Sequence, residues 1–123
     1  MAFREHLQPM VSGVEGAIVA SVMGFDGISI ETVEAANASA KEGLDVGTML
    51  IEYSAILNQI RRAAEVLESG LVTEISVNTE EMVTLVRLLN QDYFVVLALS
   101  PDSNYGKARY LMRVNAPRIA SEL

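Results

Sequence analysis

Two stretches of this chain, Ala17–Met23 (AIVASVM) and Tyr93–Leu99 (YFVVLAL), are apolar or small at nearly every consecutive position. A β-strand turns successive side chains to opposite faces, so a strand without alternation has to be covered on both sides. Both stretches therefore belong in the middle of one sheet, and the remaining elements must supply flanking strands and covering helices.

The rest of the chain divides accordingly. Phe3, Leu7, Met10 and Val14 recur at helical spacing and predict a short amphipathic helix over 3–13, with Pro9 expected to kink it against the carbonyl of Glu5. Gly24-Phe25-Asp26-Gly27 is a turn cluster, so 17–23 and Ile28–Val33 read as a hairpin whose second strand lies nearer an edge. A polar connector from Glu34 to Gly43 leads to Asp45, an N-cap carboxylate, with Leu44 and Met49 placed to form a hydrophobic staple. A long helix is predicted from Val46 to Leu67, and Gly70 sits where it should stop.

Beyond it, Leu71–Thr79, Met82–Leu89 and Tyr93–Leu99 read as three strands joined at Glu80-Glu81 and Asn90-Gln91-Asp92. Tyr105–Leu123 closes the chain as a helix, with Pro117 as a second expected kink. The order is α-β-β-α-β-β-β-α, an α/β (α+β) domain spanning 1–123 with no internal repeat.

Composition narrows the function. A net charge of −7 repels phosphate backbones and anionic lipid heads, so nucleic acid is not an expected partner. No apolar run approaches the roughly 20 residues of a membrane span, and the first residues lack a signal peptide's pattern, which predicts a cytoplasmic protein without membrane insertion. The absence of cysteine excludes disulfides and thiolate catalysis. His6 is the single histidine, no Gly-rich phosphate cradle occurs, and the candidate carboxylate pairs fall in turns. The chain is expected to be no enzyme, with no catalytic residue, cofactor or metal of its own.

The long helix carries the informative pattern. Val46, Met49, Tyr53, Ile56, Ile60, Ala63 and Leu67 follow 3-4 spacing, widened by Leu50, Leu57 and Ala64, and are expected to cover the sheet. Thr48, Ile51, Ala55, Asn58, Arg62 and Val66 lie on the opposite side, which would ordinarily be charged. That back is expected to meet another protein. Arg61-Arg62, the one basic pair, is expected to be solvated. The strand Leu71–Thr79, with Val72, Glu74 and Ser76, carries only Glu74 to blunt an exposed edge, so it is expected to pair with a second copy and bring two long helices together.

The element order, the hairpin Ala17–Ile30 (AIVASVMGFDGISI) and the closing Leu97–Met112 (LALSPDSNYGKARYLM) resemble the Roadblock family of dynein light chains and their bacterial relatives. The resemblance covers nearly the whole chain. It implies a five-stranded, mostly antiparallel sheet in order 2-1-5-4-3, the long helix on one face, both terminal helices on the other, and a dimer joined through the third strand and the long helix. Bacterial members such as the gliding regulator often serve Ras-like small GTPases, so the resemblance implies a homodimer, or a pair with a paralogue, that regulates or scaffolds such a GTPase. A structural adaptor of a motor or signalling complex and a small-molecule sensor are the alternatives.

Overall fold

The computed structural model describes residues 3–36 and 45–123. Its elements are α1 (Phe3–Ser12), β1 (Ala17–Gly24), β2 (Ser29–Glu34), α2 (Val46–Val66), β3 (Glu74–Asn78), β4 (Val83–Leu88), β5 (Tyr93–Leu99) and α3 (Tyr105–Ala120). The strands form one sheet in the order β2-β1-β5-β4-β3, and every neighbouring pair is antiparallel.

The two apolar stretches occupy the centre, as their lack of alternation requires. β1 is buried along its whole length, and β5 is buried from Phe94 onward. Val95, Leu97 and Leu99 join Ala20 and Val22 in packing against Leu7 and Met10 of α1 and Met112 and Ile119 of α3. Phe94, Val96 and Ala98 face the other way and pack with Ile18 and Met23 against Met49, Leu50 and Leu57 of α2. Phe94 is fully buried beside the Phe25 ring, centroids 4.9 Å apart.

Local chemistry sets the turns. The Gly24 amide donates to Ile28, the Asp26 carboxylate accepts from the Ile28 amide at 3.0 Å, and Gly27 takes φ +89, a backbone conformation that side chains disfavour. Gly16 also has φ +89, and a Cβ there would fall 2.2 Å from the Ser103 hydroxyl oxygen. The Asp45 side chain caps α2 by accepting from the Thr48 amide at 3.2 Å. Leu44, expected to form a staple with Met49, lies outside the described residues, as does most of the polar connector.

Two local expectations are corrected. α2 ends at a Leu67 cap, and the left-handed step after it falls on Glu68, φ 54, two residues before Gly70. β3 begins at Glu74, later than Leu71. The two prolines expected to kink α1 and α3, Pro9 and Pro117, lie inside the helices and end neither of them. Each proline lies on the exposed side of its helix, as do Glu5 and Arg113, the residues one turn earlier whose carbonyls a proline cannot serve as donor.

Candidate docking surface

The long helix covers the sheet with most of the expected stripe, Met49, Leu50 and Leu57 buried and Val46 and Tyr53 packed against them, but the stripe is rotated toward Ser54. The buried line passes through Met49, Leu50, Ser54 and Leu57, whereas Ile56 is 44% and Leu67 is 74% exposed, and Ala63 is exposed as well. α2 is apolar around much of its circumference, so two neighbouring stripes both satisfy 3-4 spacing. Polar tethers choose between them. Asn58 donates its amide to the Phe25 carbonyl at 3.1 Å, and Arg61 donates to the Gln91 carbonyl at 2.9 Å with its guanidinium 3.9 Å over the Phe25 ring. Together they pin the middle of α2 to the turns at one end of the sheet.

Thr48, Ile51, Ala55, Arg62 and Val66 lie exposed on the outer side of α2, with Val66 at 79%. Asn58 does not join them: it is half-buried and spent on its tether. Arg61 is likewise engaged, contrary to its expected solvation, while Arg62 is exposed. Ile56, Ala63 and Leu67, read from sequence as core, belong to this outer surface. Only the burial of Ser54 and the tethering roles of Asn58 and Arg61 could have shown it, and polar residues give no periodic signal of burial.

The outer strand β3 continues the surface. Thr79 donates its amide to Met82 and Leu88 donates to Thr73, at 2.9 and 3.0 Å. The ladder alternates, so residues 73, 75, 77 and 79 bond to β4, and Glu74, Ser76 and Asn78 direct their backbone N–H and C=O groups out of the sheet. Ser76 is exposed, Val72 is half-buried just ahead of the strand, and Leu71 is 91% exposed. A groove of about 840 Å³ lies between the last turns of α2, the segment leading into β3 and the end of β4, lined in part by Arg61, Ala64, Leu71, Thr73 and Leu88.

Glu74 is turned back from the edge. Both its carboxylate oxygens accept from Arg109 of α3, one from Nε at 3.2 Å and the other from Nη2, and Arg87 of β4 lies 3.9 Å away. The Arg109 hydrogen bond holds the Glu74 carboxyl below its ordinary pKa against a smaller opposing effect of burial. The one charge able to guard β3 is thus consumed within the fold.

No protein-family model and no curated protein matches the chain. Solved structures do. A Roadblock/LC7 domain from Streptomyces avermitilis superposes with a TM-score of 0.79 over 96% of this chain and 94% of its own, at 14% identity, a likeness of fold. MglC from Myxococcus xanthus matches over the whole of both chains at 49% identity and a TM-score of 0.70. The chain belongs to the Roadblock family. A structure of MglB in a tetrameric arrangement superposes with a TM-score of 0.84 over 96% of this chain and 85% of its own, at 19% identity.

Proposed function

We propose that this Roadblock chain is a self-associating, non-enzymatic regulator or scaffold whose β3 edges pair between two copies, so that two α2 helices form one surface docking a Ras-like small GTPase. The observation that carries the reading is the exposure of Ile51, Ile56, Ala63 and Val66 on the outer side of α2, together with a strand edge whose backbone groups point out of the sheet. Exposed aliphatic patches mark interaction sites, and an open edge is a template for pairing. Antiparallel pairing of identical strands about a two-fold axis is self-complementary and closed. The tetrameric arrangement of MglB supports self-association in this family, and the GTPase as partner rests on what family resemblance implies.

A second reading, an adaptor that holds another Roadblock chain without any GTPase, is favoured by one feature. The outer side of α2 is more aliphatic than charged, as in long-lived interfaces. Titration with a small GTPase encoded nearby, in its GDP form and with a GTP analogue, against titration with a paralogous Roadblock chain separates the two. Ile51→Asp and Arg62→Glu are expected to weaken the true partner in either case. Binding that survives both substitutions removes α2 as the docking face.

A further inference from the structure

The chain carries a net charge of −7, yet α3 has no acidic residue and holds Lys107, Arg109, Arg113 and Arg118, four of the nine basic residues. All four are exposed. Arg87 of β4 adds a fifth cation, and Arg87, Arg109 and Arg113 all bear on Glu74. Lys107, Arg113 and Arg118 make no side-chain hydrogen bond or ion pair with any described residue.

Helix stability does not account for this placement. A helix dipole favours cations in the last turn, which suits Arg118, but it disfavours them near the start, where Lys107 and Arg109 stand. Two aromatic side chains lie among the cations, Tyr105 at 37% and Tyr110 at 56% exposure, and the Arg109 guanidinium sits 5.8 Å over the Tyr105 ring. Arginine and tyrosine are the residue types that dominate binding hot spots.

We propose that the α3 side of the sheet is a second docking surface, for an acidic segment of another protein, whose carboxylates are taken by Arg113, Lys107 and Arg87 and whose apolar positions rest on Tyr105 and Tyr110. Glu74 already displays the chemistry, a carboxylate held by the two-pronged guanidinium of Arg109. A short segment meets only this local strip. A membrane or nucleic-acid duplex presents a broad array of negative charge, and the remaining acidic surface of the chain repels it over a screening distance of about 10 Å. The strip lies across the sheet from α2, so its occupant does not compete for the α2 surface, and this inference stands apart from the function proposed above.

The test uses the full chain and a fluorescein-labelled, tyrosine-free peptide of alternating glutamate and leucine, followed by anisotropy. A matched lysine-leucine peptide, anionic phosphatidylserine vesicles and a DNA duplex are the comparison arms. The acidic peptide is expected to bind, to weaken as salt is raised, and to lose roughly tenfold in affinity on combined Lys107→Glu and Arg113→Glu. Both substituted side chains are exposed and make no hydrogen bond or ion pair with any described residue, and Arg113 acts on Glu74 only at a distance, so the variant should stay folded with a melting temperature within a few degrees of wild type. Ile51→Asp should leave peptide binding intact, which separates this surface from α2. Failure to bind at low salt, indifference to the charge reversal, or equal affinity for vesicles or DNA overturns the proposal.

Discussion

Single residues record both what the sequence discloses and what it hides. Glu68 takes a left-handed φ of 54 at the end of α2, where glycine is the usual occupant, while Gly70 was the expected stop. A side chain in that conformation costs about 1 kcal/mol, so Glu68→Gly should raise stability by up to ~1 kcal/mol in urea denaturation, less what the freer unfolded chain takes back. Glu74 is a second case. An unpaired glutamate titrates near 4.5, and the Arg109 hydrogen bond lowers the folded value, so the stabilisation is complete above 4.5 and disappears as pH falls toward the folded pKa. Glu74→Gln should therefore cost ~0.5 kcal/mol at neutral pH, kept small by the exposure of Arg109, and the difference should close in acid. A gap that widens below pH 4.5 would contradict the pairing. That Glu74 is neutralised within its own fold was not legible, because its partner Arg109 is 35 positions away along the chain.

At the scale of elements, the legible parts are those whose pattern admits one solution. β1 and β5 could only be central, since no orientation would leave either face in water, and Asp45 and Gly27 mark their helix start and turn by chemistry that few other residues supply. α2 admits two solutions, because neighbouring apolar stripes compete and the choice is made by Asn58 and Arg61 reaching turns that the sequence alone does not bring near. Pro9 and Pro117 are expected from sterics to disturb their helices, and both stand on the exposed side of helices that continue past them. β3 supports a sharper experiment. The Ser76 amide points out of the sheet, so Ser76→Pro removes a donor from the free edge without breaking a bond to β4. The variant should stay folded by circular dichroism, lose less than ~1 kcal/mol, and sediment as a monomer, whereas a substitution at the inward-bonding Val77 should damage the fold itself.

The whole molecule joins these pieces into one arrangement, in which the sheet carries an aliphatic surface on its α2 side and a basic strip on its α3 side, with an open edge leading to both. Pairing through β3 would double each surface and leave the two on opposite faces. If the folded chain exists mainly as such a pair, melting separates the copies as it unfolds them, and mass action then makes the melting temperature depend on protein concentration. Wild type should melt several degrees higher when concentrated about a hundredfold, since the dimer gains RT ln of that ratio, ~2.7 kcal/mol, against a transition entropy typical of a domain this size. Ser76→Pro should melt at one temperature throughout. Ile51→Asp, placed on the helix and not on the strand, separates two geometries: a dimer held by the β3 edge alone keeps its concentration dependence, and one in which α2 packs across the two-fold axis loses it. A wild-type melting temperature independent of concentration, together with a monomer in sedimentation, would leave the α2 surface to a partner that meets one copy at a time.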